Sequence, residues 1–105
     1  MTPLRIDTEL PKDGEAVLRL SGELDLVSCD ELSAALSGSQ LEDRPKVTID
    51  LSGLTFMDST GLRPILQAEH RARARGGSLL VRDGPKQVQH VLELTGVRQE
   101  LNFAP

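Results

Sequence analysis

Lys46-Val47-Thr48-Ile49-Asp50-Leu51 runs into Ser52-Gly53-Leu54-Thr55-Phe56-Met57-Asp58-Ser59-Thr60-Gly61-Leu62, and the hydrophobic period changes along the way. The first six residues alternate, Val47, Ile49 and Leu51 on one side and Thr48 and Asp50 on the other, which predicts a strand. From Gly61 onward Leu62, Ile65, Leu66 and Ala72 recur at helical spacing. They predict a helix over Gly61 to Arg75, stopped by Gly76-Gly77. Pro64 sharpens its start: lacking an N–H, it cannot donate to the Thr60 carbonyl. Regular helix therefore begins near Gly61, and Asp58 to Thr60 form a turn outside the first full coil.

The flanking sequence repeats the theme. Leu4 to Leu10 alternates loosely and Glu15 to Leu20 more cleanly, with Ala16, Leu18 and Leu20 on one face. Pro11-Lys12-Asp13-Gly14 between them carries an Asp-Gly turn signal, so the chain is expected to open with an antiparallel hairpin. After Ser21-Gly22-Glu23-Leu24-Asp25, the residues Cys29, Leu32, Ala35 and Leu36 mark a first helix, with Asp30 and Glu31 at its positive end and Ser37-Gly38-Ser39 closing it. Ser78 to Arg82 is a short apolar strand. Asp83-Gly84-Pro85 then opens a third helix with Val88, Val91, Leu92 and Thr95 on one stripe, ended by Gly96. Val97 to Phe103 is a tail with room for a short final strand. The order β-β-α-β-α-β-α joins the later strands by helical crossovers, so they are expected to pair in parallel in an α/β layering of sheet and helices. No linker, repeat or low-complexity segment divides the 105 residues, which read as one domain.

Composition narrows the function classes. The apolar fraction of 38% rises to roughly 47% with the nine glycines, within the globular range. A formal charge of −4 argues against general nucleic-acid binding, which needs a basic face. No apolar run approaches a membrane span and the first residues lack a signal-peptide stretch, so a cytoplasmic location and no membrane contact are expected. A single cysteine, Cys29, leaves no internal disulfide and no cysteine zinc site; its place on the apolar stripe reads as core.

Catalytic chemistry finds little support. Gly61 follows Asp58 by three residues, not the two of an aspartic-protease Asp-Ser-Gly or Asp-Thr-Gly. There is no Gly-x-Ser-x-Gly elbow, and His70 and His90 fall on helices with no nucleophile spaced for them. No phosphate-binding loop ending in Lys-Ser or Lys-Thr is present. The basic run His70 to Arg75 suits the negative end of its helix. Asp58, Ser59 and Thr60 remain the densest polar group, placed after a strand and before a helix, where α/β proteins gather functional groups. Such residues also cap helices, so the bland role stands beside the functional one. A phosphate added there would face helix N–H groups and the positive end of the dipole, and would change what can dock.

Two segments together, Leu20-Ser21-Gly22-Glu23-Leu24-Asp25 and Val47 through Leu62, resemble the STAS family, specifically the small single-domain anti-sigma factor antagonists of bacteria. The spacing to Gly76-Gly77-Ser78-Leu79-Leu80-Val81 and to Leu94-Thr95-Gly96-Val97 fits as well, so the resemblance covers essentially the whole chain. It implies a STAS-like mixed sheet and a partner-switching regulator. The serine after the motif aspartate, Ser59 here, would be phosphorylated by a cognate anti-sigma factor that is also a serine kinase. The unphosphorylated antagonist would hold that kinase and free a sigma factor, and a serine phosphatase would restore it. ATP belongs to the kinase, so the resemblance implies no cofactor and no enzymatic activity of the chain itself. Asp58 is then the positioning or docking neighbour, Asp25 and Glu23 are further contacts, and Leu62 is either an apolar contact or core. Thr60 ranks second as acceptor. Two residues depart from the family's usual pattern: Arg63-Pro64 replaces a small or aliphatic pair, with Arg63 able to pair with a phosphoserine, and Cys29 replaces an alanine-like residue. The competing readings are a STAS scaffold subunit not regulated by phosphorylation, the soluble domain of an anion transporter, and an enzyme.

Overall fold

A computed structural model of the chain describes residues 2–11, 14–38, 41 and 44–105. Its elements are β1 (Arg5–Glu9), β2 (Glu15–Leu24), α1 (Cys29–Leu36), β3 (Lys46–Met57), a 3-10 turn (Ser59–Gly61), α2 (Leu62–Ala74), β4 (Ser78–Arg82), α3 (Lys86–Leu94), a second 3-10 turn (Val97–Glu100) and β5 (Asn102–Phe103). The five strands make one mixed sheet in sequence order. β1 and β2 pair antiparallel, and every later pair is parallel. The expected hairpin and crossovers are therefore present. Lys12, Asp13 and Ser39, part of the expected turn and helix stop, lie outside the described residues.

The alternation that marked the strands decides the layering. Ala16, Leu18, Leu20, Val47, Ile49, Leu51, Leu79 and Val81 are all buried. Their neighbours Val17, Arg19, Thr48, Leu80 and Arg82 are half-buried or exposed on the opposite face. Each helical crossover advances the sheet by one strand in the same direction. Right-handed crossovers of that kind put all their helices on one face, leaving the other open. Helix residues Leu32, Leu36, Ile65, Ala68, Ala72, Val88 and Leu92 close the core from that side. Cys29 is buried, as its position on the stripe implied.

Several boundaries differ from the expectations. β1 is shorter than Leu4–Leu10: Thr8 is exposed on this edge strand, and Leu10, also exposed, lies beyond its end. β2 continues to Leu24 and β3 to Met57, well past the expected ends at Leu20 and Leu51. The pairing of β2 with β3 shifts register between Arg19 and Ser21 and again between Gly22 and Glu23. Beyond those irregularities the buried residues of β3 are Leu51, Leu54 and Met57, one in three rather than one in two. Alternation ends there while the pairing continues. On the apolar stripes, Leu66 and Val91 are only half-buried and Thr95 is exposed, returning its hydroxyl to the Val91 carbonyl at 2.8 Å. α2 and α3 stop where expected, at Gly76 and Gly96, both with left-handed backbone.

Candidate functional site

The extended ends of β2 and β3 lie side by side, Leu24 opposite Met57. The Asp58 N–H donates to the Leu24 carbonyl at 3.1 Å. The two motifs that looked separate in sequence thus leave the sheet together, one through Asp25 and the other through Asp58.

The Asp25 loop is tightly tied. Oδ1 of Asp25 accepts from the backbone N–H groups of Val27 and Ser28, each at 3.0 Å. The Ser28 hydroxyl accepts from the Asp25 N–H at 3.0 Å and lies within donating distance of the Glu23 carbonyl and of Asp25 Oδ1. The N–H of Ser28 is the chief reason that the Asp25 carboxyl lies below its ordinary range; burial opposes it, and the Ser28 hydroxyl and Val27 N–H add to the lowering. Glu23 is engaged differently, its carboxylate accepting from the Thr2 N–H at 3.1 Å while its own N–H donates to the Thr2 carbonyl. Gly22 explains why the motif carries glycine: its φ is 86°, and a Cβ would lie 2.1 Å from the Pro3 carbonyl oxygen. Ser28 carries the loop, yet nothing in the sequence distinguished it from a surface serine.

Asp58 caps the turn that follows. It has extended backbone, and Oδ1 accepts from the Thr60 N–H at 3.0 Å and from the Thr60 hydroxyl. The capping role foreseen for this trio therefore belongs to Asp58 with Thr60 as its donor. Ser59 stands between them, exposed, and its hydroxyl makes no hydrogen bond to a described residue. Helix α2 begins at Leu62, with Pro64 in its first turn where no N–H is needed, so the expectation drawn from Pro64 holds. Leu62 is buried and sits in the core. Gly61 is also buried, and a Cβ there would lie 2.6 Å from Leu24 Cγ, so the turn closes against β2 only with glycine at this position.

Around Ser59 lies a surface depression of about 250 Å³ lined by Leu26, Cys29, Ser59, Thr60 and Arg63. Leu26 and Val27 stand out from the adjoining loop, 68% and 86% exposed. An accessible hydroxyl beside exposed apolar side chains and one cation is a surface suited to contact with another macromolecule. His70 and His90 are both exposed, and among the described residues no group of three His, Cys, Asp or Glu side chains converges on a metal position. No helix among those residues is long and apolar enough to cross a membrane.

Sequence reasoning missed Gln87. From the first turn of α3, its Oε1 accepts from the Met57 N–H and its Nε2 donates to the Met57 carbonyl, both at 2.8 Å. A glutamine on a helix reads as surface, and no local signal marked it.

Comparison with known proteins agrees with this architecture. The family model described as "Mlab, STAS domain" matches residues 9–102. An anti-sigma F factor antagonist from Paenibacillus polymyxa is 33% identical over 88 residues, covering 80% of this chain and 73% of its own. The crystal structure of an anti-sigma factor antagonist from Mycobacterium paratuberculosis superposes with a TM-score of 0.85 at 24% identity, covering 97% of this chain and 86% of the other. The Bacillus cell fate determinant SpoIIAA in its phosphorylated form gives 0.73 at 22% identity, covering 96% and 92%. The mixed five-stranded sheet with three helices is the fold of these proteins, and the chain belongs to the STAS domain family, with an anti-sigma factor antagonist among its relatives.

Proposed function

We propose that the chain is an anti-sigma factor antagonist switched by phosphorylation of Ser59. Its relatives are regulatory binding proteins, and the chain is read in the same class, as a binding protein rather than an enzyme. In this reading the unphosphorylated form binds a cytoplasmic anti-sigma factor that is also a serine kinase, and a sigma factor is released. The kinase transfers the γ-phosphoryl group of ATP to the Ser59 hydroxyl, whose proton leaves to a base of the kinase. A serine phosphatase reverses the modification by hydrolysis.

The observation that carries the reading is the division of labour at the turn. Asp58 and Thr60 satisfy one another, while the hydroxyl between them is exposed and has no partner among the described residues. An acceptor hydroxyl must reach a base in the partner, so an internally donated proton is a handicap. That favours Ser59 over Thr60 as the acceptor in this reading. A phosphate there adds about −1.5 to −2 charges beside Asp58. Arg63, four residues on and lining the same depression, offsets part of that charge. The apolar pair Leu26 and Val27 supplies contact area in the unmodified state, and Asp25 and Glu23 brace the loop that presents it.

The test is a pull-down from host lysate with wild type, Ser59→Ala and Ser59→Asp, captured proteins being identified by mass spectrometry. Retention of one kinase-like anti-sigma factor by wild type and Ser59→Ala, with loss by Ser59→Asp, supports the switch. The same captured set for all three variants points instead to a STAS scaffold in which Ser59 belongs to a capped turn and nothing more.

A further inference from the structure

Strand β3 outruns its neighbour β4. Their pairing ends at Asp50 opposite Arg82, whereas β3 continues to Met57. Past Arg82 the chain turns away through Asp83-Gly84-Pro85 into α3. The last residue of β3 is then held on that side by a side chain in place of a strand. Gln87 presents one acceptor and one donor, and Met57 uses both, each at 2.8 Å. A primary amide matches a backbone N–H and C=O together in this way at any pH, with no proton to gain or lose. On the other side of β3, the next residue is fixed by the Asp58 N–H bond to Leu24. Met57 and Asp58 are thus gripped from α3 and from β2 in turn, and Ser59 is the first residue beyond both grips.

We propose that Gln87 is a positioning residue for the Ser59 hydroxyl, holding the end of β3 so that the acceptor is presented in one geometry. This inference rests on the reading of Ser59 as phosphoacceptor. Gln87 lies on another helix, 28 positions away in sequence, and acts only through the Met57 backbone. Its own environment is ordered by adjacent contacts: the Gly84 N–H donates to the Asp83 carboxylate at 3.0 Å, and Gln89 Nε2 donates to the Gly84 carbonyl at 2.8 Å. Loss of the clasp leaves the strand end free to shift, and transfer to a hydroxyl is sensitive to displacements of an ångström or less.

The experiment compares wild type, Gln87→Leu and Gln87→Glu in two arms. In the first, the purified cognate anti-sigma kinase and ATP phosphorylate each variant, and kcat is separated from KM. Gln87→Leu is expected to lower kcat roughly ten- to a hundredfold with KM changed less than about threefold, since the docking surface is untouched while the acceptor is displaced. The second arm needs no kinase: the backbone amide resonances of Asp58 and Ser59 are followed by NMR. They are expected to shift in Gln87→Leu. In Gln87→Glu they are expected to be displaced at neutral pH and to return towards the wild-type positions as the glutamate protonates, because a carboxylic acid both donates and accepts as the amide does. A wild-type kcat in Gln87→Leu overturns the proposal. If wild type itself is not phosphorylated on Ser59, the functional reading fails, and unshifted Asp58 and Ser59 resonances in Gln87→Leu then overturn the clasp separately.

Discussion

The Asp58 carboxylate holds Thr60 by two bonds, one from the backbone N–H at 3.0 Å and one from the hydroxyl, and leaves the Ser59 hydroxyl between them without a partner among the described residues. The two hydroxyls of the motif therefore do different work. Thr60 stabilises the turn, and Ser59 is available to a partner. Replacing Asp58 with Ala removes the acceptor of both bonds and is expected to cost about 1 kcal/mol of stability, as lost N-caps do. Thr60→Val removes only the hydroxyl bond and is expected to cost about the same or less. Urea denaturation reads both. Neither the Thr60→Val variant nor wild type should differ in the residue that receives phosphate, which peptide mapping checks.

Gly61 packs against Leu24 with no room for a side chain. The glycine has φ of −68°, an ordinary value, so only space forbids a side chain. Gly61→Ala is expected to destabilise the fold by about 1–3 kcal/mol through overpacking. Because Leu24 sits at the end of β2 beside the Asp25 loop, the strain should also displace amide resonances of residues 25 to 28. A Gly61→Ala protein with wild-type stability and unshifted resonances there would show that the turn has slack.

The Asp25 carboxyl is held below its ordinary value near 3.8, chiefly by the Ser28 N–H. A group whose pKa is depressed on folding stabilises the fold above its unfolded pKa, and that contribution is lost as pH falls through the folded value. Wild type should therefore exceed Asp25→Asn in stability at neutral pH. The difference should begin to shrink as pH drops below about 4 and be gone once the folded carboxyl is protonated. Denaturation midpoints of the two proteins across about pH 2 to 6, a range set by about two units either side of an ordinary Asp pKa, give the comparison. A constant gap over that range would mean that the loop does not depend on the charge.

Much of this was legible beforehand, because hydrophobic period reports which side of an element is buried. Ala16, Leu18 and Leu20, and Val47, Ile49 and Leu51, alternated cleanly and are core. β4 matched its expected limits, Ser78 to Arg82, since Gly77 and Asp83 bracket it. The far halves of β2 and β3 were hidden for a physical reason. Register shifts near Ser21 and Gly53 turn the side chains, so Leu51, Leu54 and Met57 recur by threes and no longer alternate. At the site, the residue types of Asp58, Ser59 and Thr60 were informative, because caps and exposed hydroxyls have local rules. What could not be read were contacts made across the fold: Gln87 on Met57, Leu24 against Gly61, and Thr2 on Glu23. Each joins segments whose nearness only the sheet creates.

Phosphate on Ser59 is expected to change partner affinity, and calorimetric titration of the anti-sigma factor with the stoichiometrically phosphorylated and the unmodified chain measures the change. The unmodified chain is expected to bind more tightly by roughly 5–150-fold, a coupling of about 1–3 kcal/mol, with Ser59→Ala matching the unmodified protein. Equal affinities of the two forms for the same anti-sigma factor would contradict it.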